Sequence, residues 1–181
     1  MKAGKSISTG FGDRGRTKLF SGEEVPKDAP RCRACGDVDE LVSALGLVRC
    51  HVSCEEMKAV LLRIQRDLFV VGAELSTTQD HIDKLERRVD RQMVDWLVKQ
   101  SETLEASTSM PDDFVVPGGN VSAAHLDHAR SIARRCERSI VALSHPAGVA
   151  NEHLLMWMNR LSDYLWLLAR DEEDRSTPVK E

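Results

Sequence analysis

Arg130, Arg134 and Arg138 recur at intervals of four residues, with Glu137 set among them. On a helix that spacing stacks the three guanidinium groups along one face, with Glu137 three residues from Arg134. Three cations in a row repel one another unless an anion or carboxylates sit between them, and the forked donors of arginine suit polyphosphate oxygens. A solvated face laced with ion pairs satisfies the same spacing, and Asp37, Asp39 and Glu40 supply carboxylates that could pair with it. Asn159 and Asp163, also four apart and beside Arg160, could hydrogen-bond a base or ribose, or line a seam between helices.

A second candidate lies near the N-terminus. Gly10, Gly12 and Gly15 satisfy G-x-G-x-x-G, but residues 1 to 9 are not an apolar strand and no α/β alternation follows, which argues strongly against a dinucleotide fold. What survives is a glycine-rich loop whose backbone N–H groups, with Arg14, Arg16 and Lys18 nearby, could face phosphates. A flexible surface arm is the other reading of the same residues. Cys32-x-x-Cys35 and Cys50-x-x-x-Cys54 have the look of a four-thiolate zinc site. If residues 31 to 48 form one helix, 18 residues at 1.5 Å each put Cys32 roughly 27 Å from Cys50. One zinc cannot span that, so the cysteines are expected to be buried and to pack as small hydrophobes.

The elements that must carry these groups are helical. Apolar residues recur at spacings of 3 and 4 in five stripes. Val38, Leu41, Leu45 and Val48 form the first; Met57, Leu61, Ile64, Leu68, Val71 and Leu75 the second; Ile82, Leu85, Val89, Met93 and Trp96 the third. Ala129, Ile132, Cys136, Ile140 and Leu143 make the fourth, and Leu154, Met158, Leu161, Leu165 and Leu168 the fifth. Starts are expected at a Ser53/Glu56 capping box, at Thr77, and at Asn120 after Pro117-Gly118-Gly119. The expected fold is all-α: a five-helix bundle in one domain over residues 1–181, with an irregular arm over 1–28 and a loose tail over 172–181. Residues 101 to 119 form a long connection containing Phe114, and connections of that length in compact domains are often functional.

Composition narrows the function. The 181 residues are 41% hydrophobic and 30% charged but only 4% aromatic, which disfavours an all-β fold or disorder. Lys and Arg number 25 against 29 acidic residues, a net charge of −4, so no nucleic-acid or anionic-membrane partner is demanded. No apolar run approaches the ~18 residues of a spanning helix, and the N-terminus has no signal-peptide pattern. With five cysteines, an odd number, the expected location is the cytoplasm.

Taken in order, these segments resemble the PduO-type family of ATP:cob(I)alamin adenosyltransferases over residues 6 to 170. The resemblance rests on Thr9 and Gly12-Asp13-x-Gly15-x-Thr17, on Lys27-Asp28-x-Pro30-Arg31, and on Gly36-x-Val38-Asp39-Glu40-Leu41-x-Ser43. It continues through Ile64-Gln65-x-x-Leu68-Phe69-x-x-Gly72-Ala73-Glu74-Leu75 and Phe114-x-x-Pro117-Gly118-Gly119. The most specific matches are that Pro-Gly-Gly, Ala129-Arg130-x-x-x-Arg134-Arg135-x-Glu137-Arg138 and Asn159-Arg160-Leu161-Ser162-Asp163-Tyr164-Leu165.

The resemblance implies a homotrimer with active sites between subunits, ATP as co-substrate, Mg²⁺, and cobalamin as substrate. It implies that Thr9, Gly12, Asp13, Gly15, Thr17 and Lys27 form a phosphate-binding arm and that Arg134 and Arg138 hold phosphate. Glu137 would orient the arginines or lie on the magnesium side, and Asn159 and Asp163 would lie at the nucleotide. Asp39 would pair with Arg130 across the subunit interface, and Phe114 would displace the lower axial ligand of cobalt. Implied partners are a flavoprotein reductase and an adenosylcobalamin-dependent enzyme, in the cytoplasm or a microcompartment. Three positions depart from the family pattern: Gly10 where a basic residue is common, Val42 for Asn, and Asp127 for His. A binding module that holds ATP or corrinoid without turnover is the competing reading.

Overall fold

A computed structural model describes residues 10–143, 151–173 and 177–178. Thr9 lies outside the described residues. Five α-helices are present among them: α1 Pro30–His51, α2 Glu55–Leu75, α3 Arg91–Glu105, α4 Val121–Leu143 and α5 Glu152–Glu172. Helix α4 packs on α1 and α5, α1 on α2, and α5 on α3, so the order of packed neighbours is α2–α1–α4–α5–α3. The expected first, second, fourth and fifth stripes are all buried. Each large apolar side chain so buried contributes roughly 1.5–3 kcal/mol. No helix is long and apolar enough to cross a membrane.

The third helix differs from expectation. Thr77 does not start it; the Thr77 hydroxyl donates to the Ala73 carbonyl, Gln79–Lys84 form a 3₁₀ turn, and α3 begins at Arg91. The Val89 N–H donates to the Glu74 carboxylate at 2.9 Å, a bond that takes this backbone off the helical path. Asp90 then caps α3 by accepting from the Met93 N–H at 2.9 Å. The Ser53/Glu56 box is not formed either: Cys54 stands at the N-cap of α2, its thiol against Glu56 at 3.2 Å. Asn120 does cap α4, accepting from the Ala123 N–H at 2.8 Å.

Over its described residues, 10–28, the N-terminal arm contains regular structure where irregular backbone was expected. After a 3₁₀ turn at Phe11–Arg14, β1 Arg16–Lys18 pairs antiparallel with β2 Glu24–Pro26. The hairpin is anchored at the C-terminal end of α2: Phe20 N–H donates to Ser76, and the Thr78 hydroxyl donates to Glu23 at 2.6 Å. In the tail, Thr177–Pro178 (β4) pair antiparallel with Val115–Val116 (β3), directly after Phe114.

Candidate functional site

Helix α4 carries the arginine ladder, and its partners differ from the sequence expectation. Asp37 and Glu40 of α1 bind Arg135, not the ladder: Arg135 Nε meets Asp37 at 3.2 Å, and Glu40 accepts from Arg135 Nη2. Glu40 first, and Asp37 after it, push the Arg135 pKa up. Arg134 and Arg138 are exposed and have no partner among the described residues. Two guanidinium groups one turn apart thus remain free to receive an anion.

Beside them, α4 and α5 join polar groups across their seam. Asn159 Nδ2 donates to Glu137 Oε1 at 3.2 Å, and Arg160 Nη1 lies 3.9 Å from Asp163. Asn159 is thus set against Glu137 of α4, while Asp163 is linked to it through Arg160 on α5. Next to the ladder, Cys136 is buried; burial first, then the charge of Asp37, raises its thiol pKa to about 12. Cys50 and Cys54 are exposed, contrary to the expected burial, and Cys32 and Cys35 are half-buried.

The arm forms a second cradle. Gly10 and Gly15 adopt left-handed φ of 67° and 73°, which close the turn around Asp13. The Lys27 N–H donates to the Gly15 carbonyl at 2.9 Å, and a Cβ on Gly12 would stand 2.6 Å from Lys27 Nζ. Arg16 is engaged with Glu24 at 2.6 Å, and Thr17 lies opposite Val25 in the hairpin. Arg14 is exposed and has no partner among the described residues.

Two clefts receive the remaining residues. Phe114, 87% exposed, lines one of about 580 Å³ together with Asp127, Arg130, Trp166 and Arg170. Asp39 lines the other, about 390 Å³, with Phe20, Val42 and Phe69 between α1 and α2. Asp39 and Arg130 therefore line separate clefts of one chain. Sequence reasoning missed Arg170, whose buried guanidinium binds Asp127 at 2.6 Å, because the pair is separated by more than forty residues and no helical spacing links them.

The profile of the cobalamin adenosyltransferase family matches residues 7–172. The chain belongs to that family. Among its relatives, a corrinoid adenosyltransferase of Citrobacter freundii is 36% identical over 92% of this chain and 94% of its own length. A cobalamin adenosyltransferase of Cupriavidus metallidurans is 39% identical over 91% of this chain and 86% of its own. A solved variant of the PduO-type ATP:corrinoid adenosyltransferase of Lactobacillus reuteri, complexed with cobalamin and ATP, superposes with a TM-score of 0.90 at 30% identity, covering 97% of both chains. The cobalamin adenosyltransferase fold is thus the helical bundle described above, with the described part of the arm and both clefts lying within the matched residues.

Proposed function

We propose that this adenosyltransferase moves the 5′-deoxyadenosyl group of ATP to the cobalt of cob(I)alamin, giving adenosylcobalamin and triphosphate. The observation that carries the reading is the pair of guanidinium groups, Arg134 and Arg138, that have no partner among the described residues and stand beside the Glu137–Asn159 contact. The cob(I)alamin cobalt attacks the 5′ carbon of ATP, the cobalt–carbon bond forms, and the carbon–oxygen bond to triphosphate breaks. Negative charge grows on the leaving triphosphate, so fixed cations aimed at it lower the barrier. Arg134 and Arg138 supply such cations.

The arm supplies the remaining phosphate contacts. Gly12, Asp13, Gly15 and Thr17 shape it, Lys27 brings its ammonium to Gly12, and Arg14 stands in for the basic residue that Gly10 replaces; the family resemblance assigns Thr9 the same phosphate-binding role. Asn159 contacts the nucleotide, with Asp163 behind it through Arg160. Mg²⁺ usually binds one or two carboxylates together with substrate phosphates, and Glu137 offers one carboxylate whose Oε2 has no partner among the described residues. That donor set fits a phosphate-borne Mg²⁺, which would neutralise charge on the triphosphate.

The arm is anchored at the end of α2, while the arginine ladder is on α4, and Asp39 and Arg130 line different clefts. This separation supports a homotrimer in which one subunit's Asp39 pairs with Arg130 of the next. Phe114 would then project against the lower face of the corrinoid. Removing the lower ligand lowers the energy of the cobalt orbital that accepts an electron, so cob(II)alamin becomes easier to reduce. The reading further includes a flavoprotein reductase that supplies this electron and an adenosylcobalamin-dependent enzyme that takes the product, in the cytoplasm or a microcompartment.

Arg134→Ala tests the assignment. It is expected to lower adenosyl transfer by about 100-fold or more while leaving the thermal midpoint unchanged, since the side chain is exposed and has no partner among the described residues. Turnover near that of the unmodified protein would remove Arg134 from the site.

A further inference from the structure

Beneath the Phe114 cleft one carboxylate holds two arginines. Arg170 of α5, its side chain 1% exposed, donates from Nη2 to Asp127 Oδ2 at 2.6 Å and to Glu173 Oε1 at 3.0 Å. Its Nε is buried without a hydrogen-bond partner among the described residues. A guanidinium at that depth requires compensating charge, and Asp127 and Glu173 provide it. The second oxygen of Asp127, Oδ1, accepts from Arg130 Nε at 3.3 Å. Asp127 is itself buried on α4, so the carboxylate is held by the helix on one side and by Arg170 on the other.

The contact to Arg130 engages only its Nε. The two terminal amino groups of Arg130 have no partner among the described residues, and the residue lines the cleft beside Phe114. A carboxylate clamped from below therefore fixes the direction of the guanidinium fork and leaves its outer edge free.

We infer that Asp127 is a positioning residue for the corrinoid side of the site: it orients Arg130 through Nε so that both terminal amino groups meet Asp39 of a neighbouring subunit and the edge of the corrinoid. The inference rests on the reading of the Phe114 cleft as the corrinoid side. It predicts a defect confined to one substrate. Losing the clamp lets Arg130 adopt other rotamers, which weakens corrinoid binding while the ATP contacts on Arg134, Arg138 and the arm stay in place.

The test compares Asp127→Asn with Glu173→Gln, because both remove a charge from Arg170 and only the first touches Arg130. Asp127→Asn is expected to raise the corrinoid KM about fivefold or more and leave the ATP KM within about twofold. Glu173→Gln is expected to leave the corrinoid KM within about twofold, whatever it does to the thermal midpoint. Combining Asp127→Asn with Arg130→Lys should add little to the loss from Arg130→Lys alone, since both act through one contact. Should Asp127→Asn prove insoluble, Asp127→Glu, which keeps the charge and displaces it by one methylene, is read by the same split. Equal losses in Asp127→Asn and Glu173→Gln, or additive losses in the double variant, overturn the positioning role.

Hydroxocobalamin binding, followed by quenching of tryptophan fluorescence, reads the same contact without turnover. Unmodified protein that neither quenches nor turns over overturns the corrinoid reading itself. Unmodified protein that binds, with Asp127→Asn binding equally well, overturns only the role of Asp127.

Discussion

Lys27 Nζ lies so close to Gly12 that a Cβ at that position would stand 2.6 Å from it. The absence of a side chain at Gly12 is what lets the ammonium settle into the turn of the arm. Because Lys27 is flexible, an added methyl displaces the ammonium without disturbing the hairpin. Gly12→Ala is therefore expected to raise the ATP KM roughly tenfold, the scale of one misplaced charged contact, with the corrinoid KM unchanged. Steady-state kinetics with each substrate varied in turn checks this, and equal effects on both would place Lys27 outside the phosphate contacts.

Phe114 gives a different signature. At 87% exposed it stabilises nothing in the isolated chain, so Phe114→Ala should unfold at the same temperature as the unmodified protein. Its expected effect is on chemistry that starts from cob(II)alamin, which should slow far more than reaction from pre-reduced cob(I)alamin. Parallel assays from the two oxidation states decide it, and equal slowing would rule out the role against the lower ligand.

The hairpin that carries the arm is sensitive to acid. Hydrogen bonds first from Ser21 and then from Thr78 hold the Glu23 carboxyl down to about 2 from its ordinary 4.5. A depressed folded value means that the contribution to stability is fully present above the unfolded carboxylate range and is lost as pH falls from about 4.5 through about 2. Protection of the Phe20 and Thr78 amides, which bond across this junction, should fall over that window when exchange is measured against the intrinsic rate at each pH. Glu23→Gln should remove the pH dependence of this protection; protection that still falls with pH in the variant would assign it elsewhere.

Glu74 ties three elements together. Buried on α2, it accepts from the Val89 N–H at 2.9 Å and from Asn151 Nδ2 at 2.7 Å, where Asn151 also caps α5. Glu74→Ala leaves the buried Val89 N–H without its acceptor and takes one of two acceptors from the half-buried Asn151 Nδ2, and is expected to cost about 2 kcal/mol of stability. Urea denaturation measures this, and a loss below about 1 kcal/mol would mean that other acceptors replace the carboxylate.

How much was legible in the sequence follows from how local each signal is. Four of the five apolar stripes, the Asn120 cap and the ladder on α4 are carried by neighbours three or four residues apart, and they stand where the spacing puts them. The third stripe misled because Ile82 and Val89 are buried in a 3₁₀ turn and an extended segment, and the bond from Val89 to Glu74 that decides this joins distant residues. The β1–β2 hairpin has three-residue strands of mostly polar residues and no alternation to detect. One-residue helical phase gave Arg135, not Arg134, to Asp37 and Glu40, which periodicity alone does not resolve. The clamp of Arg170 on Asp127 was beyond reach for the same reason as Glu74: its meaning lies in two helices brought together by the fold.

The central claim is adenosyl transfer, and the most direct measurement is anaerobic incubation of chemically reduced cob(I)alamin with MgATP, read by the visible spectrum and by triphosphate release. The account predicts adenosylcobalamin together with triphosphate in equal amount. ATP bound by the protein with neither product formed would contradict it and leave a nucleotide-binding module in its place.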